Sequence, residues 1–242
     1  MSAATVPRTP VPARRFSGNP LVAFYQSSIG KKWVVGLTGV ILIVYVLGHL
    51  AGNLQIYLGR DRINNYAEFL HSLGPMLWAV RAVLLAAFVI HIVATIQLSI
   101  QNRRAHPQKY AVRGYQVSTP ASRTMIISGL IVLCFVIYHL LQFTLEVTHP
   151  GYRALRDSLG RHDVYRMLIL GFRHPLISLF YALGLFLLCA HLSHGFASVT
   201  QTLGLNNRKI AGLVANGGRA LAWIVFAGYV SIPLTILFRL IR

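Results

Sequence analysis

Five long apolar stretches alternate with shorter polar segments along the chain, at about residues 33–58, 76–100, 124–147, 175–200 and 213–238. As α-helices they can each cross a hydrocarbon core of about 30 Å, which takes about 20 residues. A membrane β-barrel shows short segments of alternating hydrophobicity, whereas these stretches are continuous. The pattern therefore predicts an all-α membrane protein, with a bundle of five transmembrane helices at residues 33–242.

The composition agrees with this class. Hydrophobic residues make up 55% of the 242 residues and charged residues only 12%, which is unlike a soluble globular domain. The net charge of +18 would suggest nucleic acid as a partner of a soluble protein. In a membrane protein we expect no nucleic acid, and instead anionic lipid head groups and a partner subunit on the inner face.

Residues 1–32 form a basic, proline-rich lead-in without an apolar core. We expect a cytoplasmic segment here rather than a cleaved signal peptide. This placement puts 13 of the 23 Lys and Arg residues on the inner side, as the positive-inside rule favours. All five acidic residues then lie on the outer side: Asp61, Glu68, Glu146, Asp157 and Asp163. The N-terminus is predicted to be cytoplasmic.

Four of the five predicted spans carry a deep histidine, namely His49, His91, His139 and His191. One such residue is most simply a core histidine that hydrogen-bonds a neighbouring helix. Four together favour a shared function, because an ionisable group is costly at this depth. Counting 1.5 Å per residue places His49 and His139 about 25 Å from the inner boundary, and the other two about 18 Å from it. The histidines are therefore predicted to form two pairs at two levels.

Two histidines on facing helices can supply both axial ligands of a haem iron. The two levels therefore predict two stacked haems b, each with two histidine ligands. Gly48, Gly52 and Gly195 would leave room for the macrocycles, although glycines at such spacing also serve close helix packing. His194 lies three residues from His191 and competes with it. We expect His194 to support a ligand or a haem propionate.

The two cysteines, Cys134 and Cys189, lie inside predicted spans, so we expect small apolar fillers rather than a disulfide. An alternative combines them with two histidines in a membrane-embedded Rieske-type cluster, although their depths do not match. A second alternative is a transporter with a histidine proton relay, which leaves the paired depths unexplained. No internal repeat is evident in the sequence.

Three segments resemble the cytochrome b558-type membrane anchor of succinate dehydrogenase and fumarate reductase. They are "SSIGKKWVVGLTGVILIVYVLGHLAGNLQIYLG", "NNYAEFLHSLGP" and "HLSHGFASVTQTLGLN". The resemblance covers the chain from about Gly30 to Arg242, and the lead-in does not match. It implies a single-chain, five-helix, two-haem subunit of succinate:quinone oxidoreductase, the respiratory complex II of the tricarboxylic acid cycle, in a bacterial cytoplasmic membrane.

The resemblance also implies the ligands of each haem. The inner, proximal haem would be held by His91 and His191, and the outer, distal haem by His49 and His139. The family's last ligand stands in an H-x-x-x-G motif, which His191 matches and His194 does not. This pairing is the one that the depths predict.

The resemblance further implies the partners and the reaction. A flavoprotein with covalent FAD and an iron–sulfur protein would carry the succinate site on the cytoplasmic side. This chain would pass electrons between the iron–sulfur subunit and a membrane quinone, typically menaquinone. We expect the iron–sulfur subunit to dock on the lead-in and on the basic loop at residues 101–116.

The segment "DRINNYAEFLHSLGP", residues 61–75, predicts a short interfacial helix between the first two spans. Asp61 is predicted to cap it and Gly74-Pro75 to end it. Its predicted apolar face consists of Tyr66, Phe69, Leu70 and Leu73. Glu68 and His71, three residues apart on one face, would carry protons to or from the quinone. The family ties an acidic residue near this place to its quinone site; the alternative is a solvated surface pair.

Overall fold

The computed structural model of the protein describes residues 18–105, 120–204 and 211–242. Its α-helices are α1 (Pro20–Gln26), α2 (Ser28–Asn53), α3 (Arg60–Ser72), α4 (Pro75–Ala105), α5 (Pro120–His139), α6 (Val164–Phe172), α7 (Pro175–Thr202) and α8 (Ala211–Leu237). Two 3-10 helices, Leu54–Leu58 and Pro150–Ala154, and a π-helical turn, Leu140–Thr144, complete the helical segments. Within these ranges there is no β-strand, only an isolated bridge between Arg156 and His162.

Five of the helical segments are long and apolar enough to cross a membrane: Ser28–Leu58, Pro75–Ala105, Met125–Thr144, Pro175–Thr202 and Gly212–Leu237. They confirm the predicted five-helix membrane fold. Many of their leucine, isoleucine and valine side chains are exposed on the outside of the bundle, where a bilayer would cover them. The expected docking segments lie largely outside the described residues, which omit 1–17 and 106–119.

The first span begins at Ser28, five residues earlier than predicted, and α1 precedes it within the lead-in. Asn19 caps α1, because its Oδ1 accepts a hydrogen bond from the backbone N–H of Leu21 at 2.9 Å. Lys31 is buried, and its Nζ donates to the carbonyls of Tyr25 and Gln26 at 3.0 and 3.1 Å. The ammonium group therefore stays hydrogen-bonded at the start of an apolar helix, as burial of a charge requires.

The spans pack as two neighbouring hairpins with α8 added at the side. Helix α2 contacts α4, α5 contacts α7, and α2 and α7 join the two hairpins. Helix α8 packs mainly on α7. An aromatic core lies between α5, α6 and α7, where the Tyr181 ring is 5.3 Å from that of Phe135 and 4.9 Å from that of Phe172.

Helices α3 and α6 lie against each other at one end of the bundle, which we call the capped end. Gly59 begins α3 with φ of +98°, a left-handed conformation that favours glycine. Gly74, with φ of +52°, separates α3 from α4, so the predicted end of the interfacial helix is correct. The two sharp turns of the capped end, before and after α3, are therefore formed by glycines.

Two details of the predicted interfacial helix are wrong. Asp61 does not cap it; its carboxylate instead accepts a hydrogen bond from Arg161 Nη2 at 2.7 Å, across the capped end. The buried face consists of Ile63 and Asn64, whereas Phe69 is 58% exposed. The helix packs on α6 rather than lying freely at an interface, and this contact selects a different face.

A buried carboxylate joins α3 to α6. Asp163 is fully buried, caps α6 by accepting from the Arg166 N–H at 3.1 Å, and accepts from Asn64 Nδ2 at 3.0 Å. Arg60 forms a salt bridge with it. Burial alone would raise the pKa of Asp163, but the hydrogen bonds from Arg60 and Asn64 outweigh it and hold this pKa below its usual value. The carboxylate is thus charged and fully bonded.

We expect Asp163→Ala to destabilise the purified chain by about 2 kcal/mol, because it removes a helix cap and leaves buried donors without an acceptor. Thermal unfolding in detergent measures the change. Asp61→Ala is the matched control: its side chain is 82% exposed, and exposed ion pairs contribute about 1 kcal/mol or less. Equal effects of the two substitutions would contradict the importance of the buried carboxylate.

Candidate cofactor-binding site

A cavity of about 880 Å³ opens at the capped end of the bundle. His49 and His139 line it, and so do Glu68 and His71 of α3. Glu68 and His71 are exposed on their outer side, so they stand at the mouth of the cavity. The structure therefore brings together four of the residues that the sequence selected, from three different segments of the chain.

The rings of His49 and His139 lie with their centroids 5.8 Å apart and their planes at 83°. Two imidazoles on opposite sides of one metal, each with its nitrogen about 2 Å away, have ring centroids about 6 Å apart. The observed separation is therefore compatible with both imidazoles binding one metal ion. The ring of Tyr45 stacks on His49 at 5.4 Å, and the Tyr181 hydroxyl is 3.4 Å from His139 Nδ1.

The second pair, which we call the deeper pair, lies farther from the capped end. Thr38 Oγ1 is 3.1 Å from His91 Nδ1, and Ser128 Oγ is 3.3 Å from His191 Nδ1. His91 and His191 lie within electrostatic range of each other. The donor set of this level is again two imidazoles, whose Nδ1 atoms have hydroxyl partners of the kind that orients metal-bound histidines.

The separation of the two levels is larger than predicted. Thr38 marks the level of His91 and lies eleven residues before His49 in α2, which corresponds to about 16 Å along the helix. The sequence-based depths differ by only about 7 Å. The depths were counted from Lys32 on α2 and from Arg103 on α4, as if both residues lay at the same membrane boundary. In the structure α4 continues to Ala105, well beyond the level at which α2 begins.

His194 is half-buried and close enough to His191 for their charges to interact. In the portion of the chain that is described, its ring has no hydrogen-bond partner. The structure thus places His194 beside the deeper pair, and Ser128 is the hydroxyl that contacts His191. The supporting hydrogen bond at His191 comes from a residue that the sequence analysis did not select.

Of the three glycines that were expected to leave room for macrocycles, Gly52 has a different role. A Cβ atom at Gly52 would lie 2.7 Å from the Tyr66 ring, so the missing side chain accommodates Tyr66 rather than a macrocycle. Gly48 and Gly195 face open space. At Gly39 and Gly129, which were not selected, a Cβ would lie 3.4 Å from the imidazole of His91 and His191, respectively. The glycines that adjoin the deeper histidines are therefore on the neighbouring helices.

A carboxylate and several cations at the cavity were also missed. Glu146 lines the cavity with φ of +52°, directly after the π-helical turn that follows His139, and its Oε1 is 3.2 Å from His162 Nε2. Arg81 and Arg153 line the same cavity. Guanidinium groups suit the carboxylates of a bound ligand. No local sequence pattern predicts that these residues line the cavity, because the π-helical turn and the tertiary fold bring them to it.

The cysteines do not join the histidines. Cys134 is exposed on the outside of the bundle, whereas Cys189 is buried with Leu50, Ala222 and Val225. Across residues 18–105, 120–204 and 211–242, no group of three or more His, Cys, Asp or Glu side chains converges. This arrangement does not favour the Rieske-type alternative, which needs four ligands at one place.

The fold and the cavity define a polytopic helical membrane protein with paired intramembrane histidines. No protein-family model, curated protein or solved structure matches this chain.

We expect Gly52→Ala to destabilise the chain by about 1–3 kcal/mol, since the added methyl group forces the Tyr66 ring to move in a packed contact. Gly48→Ala is the control, because no atom lies within 4 Å of its Cβ position. It should leave stability unchanged or raise it slightly. Thermal unfolding of both variants checks the assignment, and a Gly52→Ala chain as stable as the Gly48→Ala chain would contradict it.

Proposed function

We propose that this chain is the membrane anchor and di-haem cytochrome b subunit of a succinate:quinone oxidoreductase. It would pass electrons between an iron–sulfur subunit and a membrane quinone. The observation that carries the proposal is the pairing of deep histidines, with the ring centroids of His49 and His139 5.8 Å apart at a cavity and a second pair deeper in the bundle. The resemblance of three sequence segments to this family, two of which include His49 and His191, also supports the proposal.

The histidines would hold two haems b, one at His49 and His139 and the other at His91 and His191. Haem bound there supplies one-electron transfer, with a potential tuned by its ligands and surroundings. The protein's own contribution is to orient the imidazoles through the Thr38 and Ser128 hydroxyls. The apolar bundle around the four histidines limits access of water to the bound groups.

Glu68 and His71 are the proposed proton carriers for the quinone. Both line the cavity and both are exposed at its mouth, so they connect the cavity with water. Reduction of a quinone takes up two protons with two electrons, and carboxylate and imidazole groups at such a place can supply them. The family resemblance suggests menaquinone as the quinone.

The proposed orientation puts the capped end on the outer face of a bacterial inner membrane and the N-terminus in the cytoplasm. The flavoprotein with FAD and the iron–sulfur subunit would then dock at the opposite end. Helix α4 ends there with the exposed cations Arg103 and Arg104, which favour anionic lipid head groups and an acidic protein surface. Succinate would be oxidised in the flavoprotein and not in this chain.

Single histidine replacements test the two haem sites. We expect His49→Ala or His139→Ala to remove one haem and His91→Ala or His191→Ala to remove the other, because each iron needs both ligands. Haem content and the reduced-minus-oxidised absorption spectrum measure the loss. His194→Ala is the control and should keep both haems. A wild-type chain without haem b bands would contradict the proposed function.

Glu68→Gln tests the proton role at the cavity mouth. We expect both haem bands and succinate oxidation with an artificial acceptor to be unchanged, whereas turnover with quinone should fall at least about tenfold, as for loss of a general acid. Asp61→Asn is the control, since Asp61 lies on the same helix but pairs with Arg161. Undiminished quinone turnover in Glu68→Gln would leave Glu68 an ordinary surface carboxylate.

A further inference from the structure

The two helical hairpins share a spaced set of residues. In α2, Thr38-Gly39 precedes His49 by eleven and ten residues, and in α5, Ser128-Gly129 precedes His139 by the same intervals. The intervening residues are all apolar apart from Tyr45, Gly48, Cys134 and Tyr138. A hydroxyl residue, a glycine and a histidine therefore occupy equivalent positions on the first helix of each hairpin.

The second helices of the hairpins match as well. Pro75 opens α4 sixteen residues before His91, and Pro175 opens α7 sixteen residues before His191. These few positions do not amount to a repeat in the sequence, because the residues between them do not match and the loops within the hairpins differ in length.

The matched residues make the same contacts in both hairpins. The hydroxyl of the first helix contacts Nδ1 of the histidine on the second helix, at 3.1 Å from Thr38 and 3.3 Å from Ser128. A Cβ atom added to the adjacent glycine would lie 3.4 Å from Cε1 of the same ring, both at Gly39 and at Gly129. The sequence spacing and the contacts with the histidine therefore agree between the two hairpins.

The position of the imidazole proton depends on the direction of the hydrogen bonds that the hydroxyls make. A hydroxyl has one proton to donate. Thr38 Oγ1 donates it to the carbonyl of Val34 at 2.7 Å, and Ser128 Oγ donates to the carbonyl of Met125 at 3.0 Å. With this proton on the backbone carbonyl, each oxygen accepts from the imidazole, and in that arrangement Nδ1 of His91 and His191 carries the proton and Nε2 presents its lone pair.

We infer that α2 with α4 and α5 with α7 are two copies of one hairpin unit, in which the hydroxyl and glycine of the first helix hold the histidine of the second with Nε2 free to bind a metal. Thr38 and Ser128 are the positioning residues, and they act through His91 and His191. The inference rests on the proposed function only for the identity of the group bound at Nε2.

Gly39 and Gly129 leave space for the imidazoles of His91 and His191 to lie against the neighbouring helix. A Cβ at 3.4 Å is at the edge of ordinary van der Waals contact, so an alanine fits with little movement. A branched side chain at Gly39 or Gly129 would occupy the space of the ring. Gly39→Val should therefore displace His91, whereas Gly39→Ala should not.

The tautomer can be measured in the full chain without haem. In ¹⁵N-histidine NMR of chain produced without a haem supply, with signals assigned by single replacements, His91 and His191 should carry the proton on Nδ1. Thr38→Val should abolish this preference for His91 alone, and Ser128→Ala for His191 alone. Thr38→Ser and Ser128→Thr keep the hydroxyl and should retain it.

Thr95→Val is the matched control for loss of a hydroxyl near His91. Thr95 Oγ1 donates to the backbone carbonyl of His91 at 2.7 Å and does not contact the ring, so the tautomer should stay as in the wild type. If Nδ1 is unprotonated in the wild type, or if Thr38→Val and Ser128→Ala leave both tautomers unchanged, the inference is overturned.

A redox titration of the haem-loaded chain provides the second measurement. An acceptor at Nδ1–H makes an imidazole a more basic ligand, which favours the oxidised iron. Thr38→Val and Ser128→Ala should therefore raise the potential of the haem at His91 and His191 and leave the other haem unchanged. Unshifted potentials in a chain that binds two haems overturn the inference alone. Absence of haem in the wild type overturns the proposed function, and the tautomer measurement then decides the inference.

Discussion

A polar group inside an apolar helix bundle must find its hydrogen-bond partner within the protein, because lipid tails offer none. This constraint explains where the polar residues of the spans lie. The hydroxyls of Thr38 and Ser128 donate to backbone carbonyls of the preceding turn, and their oxygens then accept from a histidine on the next helix. The same hydroxyl oxygen thus bonds to its own helix and orients the histidine on the neighbouring helix. A hydroxyl group is needed at this position for both hydrogen bonds.

The constraint acts differently at the capped end, where charges are present. Asp163 is fully buried and bonded to Asn64 and to the backbone of α6, so α3 cannot move away without exposing an unpaired carboxylate. Because Glu68 and His71 belong to α3, their position over the cavity depends on this distant contact. The charge network therefore connects the stability of the fold to the geometry of the proposed proton carriers.

The parts that sequence reasoning predicted are local properties. An apolar run of 20 residues specifies a span regardless of its neighbours, and a histidine within it is visible directly, as at His49 or His191. The parts that it missed depend on tertiary contacts. The role of Gly52 is set by Tyr66 from another helix, and Glu146 reaches the cavity through a π-helical turn. The hydroxyl–glycine pairs are an intermediate case. Their spacing is visible in the sequence, but their role can be recognised only from their contacts with the histidines in the folded chain.

The two levels of histidines differ although the hairpins match. The deeper pair has a hydroxyl at Nδ1 of each ring, whereas at the capped end His139 contacts the Tyr181 hydroxyl at 3.4 Å and His49 stacks on Tyr45. Only the capped end receives α3 and α6, which add charged residues and a mouth to the cavity. A molecule from the surroundings can therefore approach His49 and His139 through this mouth, whereas His91 and His191 do not line the cavity. The matched hairpins therefore place similar histidines at two levels, and the additional helices open only one level to the surroundings.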